Sequence, residues 1–130
     1  MFGFGKKDKD NFANDLQGFL EEADALYIRA FETRSIGLLK EHFTRECCYN
    51  ISRWILAEAS SRYFSDAKFR ETTWEIVEQS DTHVKVIKSC VYRNIKLSFS
   101  RSMKVSDDYK ECWSVDVTPD EFWVTDVKSI

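Results

Sequence analysis

Two hydrophobic periods divide this chain, and the switch between them constrains the fold more than any other feature. From Phe12 to Tyr63 the apolar residues recur every three or four positions, and from Phe69 onward they alternate. The first spacing is that of an amphipathic helix and the second that of a half-buried strand. Asn11 is a good N-cap, and Phe12, Leu16, Phe19, Leu20, Ala23, Leu26, Tyr27, Ala30 and Phe31 form one stripe of a long helix. Ser35 caps a shorter helix carrying Ile36, Leu39 and Phe43. A third helical run, YNISRWILAEASSRYF, places Ile51, Ile55, Ala59 and Tyr63 on one stripe with Trp54 close by. Cys47 and Cys48 fall near its start. A helix N-terminus can activate a thiol there, but a packing cysteine is the commoner occupant.

The alternating half predicts five strands, near 69–79, 83–92, 95–105, 109–117 and 122–128. The stretches between them, SDT, RN, SDD and TPDE, are short enough to permit only antiparallel hairpins. The expected fold class is therefore α+β, with N-terminal helices packed on a five-stranded antiparallel meander. Residues 11–130 form the single domain, and residues 1–10 a short flexible leader. In that leader Phe2 and Phe4 stand beside Lys6, Lys7 and Lys9, but Asp8 and Asp10 offset the charge, so no membrane contact is expected.

Turn lengths fix a register, and a slip of one residue would exchange the faces of a strand. The loops above set Ile76 opposite Val86, Val86 opposite Arg101, Arg101 opposite Trp113, and Trp113 opposite Asp126. They also pair Val115 with Val124 and Val117 with Phe122. One face then collects Trp74, Ile76, Val84, Val86, Cys90, Tyr92, Ile95, Leu97, Phe99, Met103, Tyr109, Trp113, Val115, Val117, Phe122 and Val124, and the long helix must cover it. The other face is mixed, with Ile87, Val91 and Trp123 among lysines and serines, and either this face or a strand edge is the candidate dimer interface.

The charged exceptions on the covered face are the candidate site. Arg101, Asp126, Glu111, Glu78 and Lys128 gather at one end, and Lys88 stands alone in the middle. Either this end of the sheet outruns the helix and the charges pair in solvent, or they ring the mouth of a cavity. In a cavity, Arg101 grips an anionic group, Trp113 supplies a stacking wall, and Asp126 orients Arg101 or acts as a base. Glu111 and Lys88 complete that ligand-binding set. A base at Asp126 requires burial that raises its pKa.

Composition excludes some functions. The net charge of −3 is spread without a basic stripe, which argues against nucleic acid. The aromatic share of 15% suits either a core or a pocket. Cys47, Cys48, Cys90 and Cys112 form no CxxC, and His42 and His83 do not complete a zinc-ligand pattern, so no metal is expected. The chain reads as cytoplasmic with free thiols, although a Cys90–Cys112 disulfide is left open. Phosphate-loop, dinucleotide-binding and nucleophile-elbow motifs are missing, so no cofactor is expected.

The run FLEEADALYIRAFETRSIGLLKEHFTRECCYNI, from Phe19 to Ile51, and the ending YKECWSVDV, from Tyr109 to Val117, carry a resemblance. A long helix, two further helices and an antiparallel meander resemble the cone-shaped fold of the nuclear-transport-factor-2-like superfamily. Those two segments are similar to the branch related to the mitochondrial import-motor anchor domain. The resemblance implies a curved, cone-like sheet, and a superfamily that holds both enzymes and binding proteins. The leading expectation is a dimeric, non-catalytic binding module, holding a protein partner or a small apolar ligand with an acidic group. The alternative is a small isomerase or hydrolyase using Asp126 with Arg101.

Overall fold

The computed structural model describes residues 9–61, 68–93, 95–96, 102–103 and 108–130. Residues 1–8 of the leader expected over 1–10, and Arg101 with most of the predicted strand around it, lie outside the described residues, while Lys9 and Asp10 belong to the first helix, which therefore starts before Asn11. Helix α1 spans Lys9–Thr33, a 3-10 turn follows at Ile36–Leu39, and helix α2 spans Arg45–Ser61. The strands are β1 (Lys68–Gln79), β2 (His83–Arg93), β3 (Ile95–Lys96), β4 (Ser102–Met103), β5 (Asp108–Val117) and β6 (Phe122–Ser129). The chain is α+β, with helices first and an antiparallel sheet after, as the change of period predicts.

Local chemistry explains the helix ends. Arg34 takes a left-handed φ of 57°, and the Ser35 amide donates back to the Ala30 carbonyl at 3.1 Å. That closure satisfies an orphan carbonyl in the way a C-terminal glycine usually permits. Ser35 precedes the 3-10 turn, but its side chain makes no capping bond. The cap of α2 is Thr44, whose hydroxyl accepts from the Cys47 amide at 3.3 Å. The helix therefore begins before Tyr49, and Cys47 and Cys48 sit in its first turn.

The sheet differs from the predicted meander. Its order is β1-β2-β5-β6, four strands, while β3 and β4 pair only with each other. β2 and β5 are direct neighbours, with Val86 opposite Trp113 and Lys88 opposite Glu111. The predicted pairing of 83–92 with 95–105, and of 95–105 with 109–117, is therefore replaced by a direct β2–β5 pairing. The strict alternation over 95–105 satisfies the period of a strand but carries no information about which neighbour takes the pairing.

A second correction lies in β6. The pairs Ile76–Val86, Val115–Val124 and Val117–Phe122 are as the turn lengths predict. Between Ser114 and Val115 the register then shifts, so that Asp126 faces Ser114 and Val127 faces Trp113. Thr125 is the extra residue of a β-bulge, and its hydroxyl donates to the Ser114 carbonyl at 3.2 Å. Val127, at 3% exposure, takes the core position expected for Asp126.

The core lies between the helices and one face of the sheet. Leu16, Leu20, Ala23, Tyr27 and Ala30 of α1 are buried against Val84, Val86, Trp113, Val115, Val124 and Val127. Each fully buried Leu or Val contributes about 1.5–3 kcal/mol relative to exposure. From α2, Cys47, Ile51 and Ile55 enter the same core. Ile76 faces Val86 as expected but lies on the edge strand and is 42% exposed.

Candidate functional site

Three of the five proposed ligand-binding residues come together, but inside the core. Lys88 lies between Val86 and Cys90 on β2, all facing α1, and the β2–β5 pairing puts Glu111 directly across from it. α1 crosses above and adds Asp24 and Tyr27. The Lys88 ammonium lies 2.5 Å from an Asp24 carboxylate oxygen and 3.6 Å from Glu111 Oε1. Tyr27 donates its hydroxyl to Glu111 Oε2 at 2.8 Å, and Trp113 Nε1 donates to Glu111 Oε1 at 2.9 Å. The same ammonium stands 5.2 Å from the Tyr27 ring centre and 5.7 Å from that of Trp113. Lys88 is not alone on this face; it is the centre of a cation–carboxylate–aromatic cluster.

Burial dominates the electrostatics of the cluster. Lys88 is 1% and Glu111 0% exposed, and removing such charges from water is tolerated only with pairing and hydrogen bonds. Burial pushes the Asp24 carboxyl above its ordinary value, although Lys88 pulls the other way. The Cys90 thiol next door is pushed up to about 11, again by burial, with Lys88 opposing. Trp113 packs edge-on against Tyr27 at 5.4 Å and Trp74 at 5.1 Å, and tilted against Phe43 at 5.6 Å. The residue expected to be a stacking wall for a ligand therefore stacks on the protein's own rings.

Asp126 belongs to a different place, a groove of about 510 Å³ between α2 and β6. The groove arises from how α2 is launched. Val124 donates its amide to the His42 carbonyl at 2.8 Å, and its own carbonyl accepts from the Thr44 amide at 2.9 Å. This strap ties the chain to the edge of β6 immediately before α2 starts. The Thr125 bulge lies one residue past the tie, and the opening follows it. Cys47, Ile51 and Val127 form the apolar floor, and Trp54, 37% exposed, a wall. Asn50, Arg53, Asp126 and Lys128 line the rest. Lys128 and Asp126 lie 3.7 Å apart at the surface, the Asp126 side chain being 39% exposed. The burial that a general base at Asp126 requires is not there.

The remaining candidates are dispersed. Ile87 and Trp123 are half-buried on the outer face, with Trp123 Nε1 donating to Glu121 at 3.2 Å; the Val91 side chain lies outside the described residues. His42 Nε2 is 2.6 Å from Glu22, and the ring stacks on Phe19 at 5.5 Å, while its Nδ1 is buried without a hydrogen-bond partner. His83 pairs with Asp116 at 3.2 Å. None of the four cysteines forms a disulfide: Cys90 faces inward opposite Tyr109, and Cys112 lies opposite Ile87 on the outer face. Burial pushes the Cys47 thiol up to about 12 and raises Cys48, so neither is an activated nucleophile. Among the described residues no group of three or more His, Cys, Asp or Glu side chains is placed to hold a metal ion. No described helix is long and apolar enough to cross a membrane.

Sequence reasoning missed Asp24, Arg53 and Trp54 as site residues. The signal for Asp24 was present: it lies four residues after Leu20 and three before Tyr27, on the buried stripe of α1. Comparison with known proteins adds no identity, since no family model, curated protein or solved structure matches the chain.

Proposed function

We propose that this chain is a non-catalytic binding module, working as a two-copy assembly, that holds a small apolar ligand with an acidic group in the groove between α2 and β6. The observation that carries this reading is the composition of the groove: a buried apolar floor, a tryptophan wall and two cationic residues, Arg53 and Lys128, in one opening. Ligand pockets commonly measure roughly 300–1,000 Å³ and combine an apolar lining with a few orienting charges. An apolar tail would displace water chiefly from Trp54, packing over the floor of Ile51 and Val127, while a carboxylate would meet Arg53 and Lys128. Asp126 limits the mouth to ligands whose acidic group avoids it. Membership of the cone-shaped superfamily is part of this proposal, and α1 lying across the inner face of an antiparallel sheet supports it.

Isothermal titration with decanoate, an apolar carboxylate, tests the groove. Wild-type protein is expected to bind, and Arg53→Glu and Lys128→Glu each to weaken binding by about tenfold, or about 1.4 kcal/mol. Equal affinity in all three proteins would remove the groove as the site. Decanol serves as the control, because it keeps the tail and lacks the charge that Arg53 and Lys128 would read.

A further inference from the structure

The two-copy reading above leaves the joining surface unspecified, and β1 supplies one. β1 runs 12 residues, from Lys68 to Gln79, about twice the common strand length of roughly five to six. Among the described residues it pairs with β2 alone, at the end of the sheet order β1-β2-β5-β6. Such an edge offers a row of backbone donors and acceptors to another strand. Bulges between Arg70 and Thr73, and between Ile76 and Glu78, leave Thr73–Ile76 as the regular run. Ile76, the last residue of that run, and Val77 after it are apolar and 42% and 52% exposed.

The order of charges along β1 says what covers them. Basic residues come first, Lys68 and Arg70, and acidic ones later, Glu75 and Glu78, with Glu71 between. A parallel copy would set each charge beside its own kind. An antiparallel copy reverses the order: a twofold axis at Trp74 sets the first bulge of one copy beside the second bulge of the other, so their offsets cancel and Arg70 of one copy lies beside Glu78 of the second, twice over. In that register Glu71 falls beside Val77 and Glu75 beside Thr73, so no acid opposes an acid. Opposite charges across a strand pair are stabilising, and like charges directly opposed are destabilising.

We infer that β1 is a self-association edge: two copies pair β1 with β1 antiparallel about Trp74, joining two four-stranded sheets into one. The assembly is isologous and closed, since the twofold uses both copies of the same edge. It occupies the side of the sheet opposite β6, so the α2–β6 groove of each copy stays open. Surface and ligand site therefore fail or stand independently.

Sedimentation equilibrium on wild-type protein and charge variants tests the edge. The wild type is expected to be a dimer. Arg70→Glu and Glu78→Arg are each expected to raise its dissociation constant by about tenfold or more, because each sets like charges against one another. An equal mixture of the two single variants should restore the dimer, as should the double variant, since both recreate opposite pairs. Val77→Lys, at an exposed position, should give a folded monomer with an unchanged circular dichroism spectrum, its melting temperature lowered only by the lost association. A monomeric wild type would overturn both the edge and the two-copy reading. A dimer that persists in Val77→Lys and both charge variants would overturn the edge alone and turn attention to Ile87 and Trp123. Singles that stay monomeric when mixed would exclude the antiparallel register.

Discussion

The buried cluster around Lys88 and the groove beside Asp126 contain the same kinds of residue, a lysine, carboxylates and a tryptophan, yet they answer to different physics. In the cluster every named group meets another part of the protein: Lys88 meets Asp24 and Glu111, Glu111 receives Tyr27 and Trp113, and Trp113 packs on three rings. In the groove Arg53, Trp54 and Lys128 are exposed, and Lys128 makes a surface ion pair of the sort that contributes little. Charges that are expensive to bury are structural when paired in the core; those left at an opening are available to a ligand. Residue type does not separate the two cases. Pairing and burial do.

The sharpest way to break this comparison is Lys88→Met. It removes the cation shared by two buried carboxylates, and the expected loss is about 3–5 kcal/mol in urea unfolding. A loss below 1 kcal/mol would mean that the cluster is not holding α1 to the sheet. Tyr27→Phe takes the hydroxyl donor from Glu111 Oε2 while keeping the ring, and should cost about 1–3 kcal/mol by the same measurement.

Asp24 gives a pH signature of its own. Its folded pKa is raised above that of an ordinary aspartate, chiefly by burial, so the folded state holds the proton more tightly than the unfolded one. Its contribution to stability is complete below the unfolded value and is lost as pH rises through the folded one. Subtracting the stability of Asp24→Asn from that of wild type should therefore give a difference that falls with rising pH across that window. A flat difference would place Asp24 in an environment no different from water. The smallest effects belong to the groove: Arg53→Glu and Lys128→Glu should move the unfolding free energy by less than about 0.5 kcal/mol, as surface substitutions do. A large loss there would make the groove part of the scaffold.

How far the sequence reaches can be seen residue by residue. Helices followed by antiparallel strands are legible because the period changes once, and Val117 meets Phe122 because a four-residue loop leaves little choice. The stretch IKLSFSRSMKV, residues 95–105, alternates as faithfully as any strand, yet alternation is local and says nothing about whether β2 prefers β5. The Lys88–Glu111 pair is a product of that non-local choice, and Asp24 completes it from 64 residues away. Asp126 was misplaced by a single extra residue, Thr125, because a bulge exchanges every side chain beyond it. The groove needs that bulge, the Val124 strap and the Thr44 cap together, and only the cap can be read from one residue type.

Entry of ligand into the α2–β6 groove, with the cluster left closed, can be followed by titrating decanoate into isotope-labelled protein and recording amide and indole resonances. Shifts are expected at Ile51, Trp54, Val127 and Lys128, with the Trp113 indole proton unmoved and still slow to exchange. Shifts at Trp113, Lys88 and Glu111 with the groove silent would contradict that expectation and place the binding site in the interior.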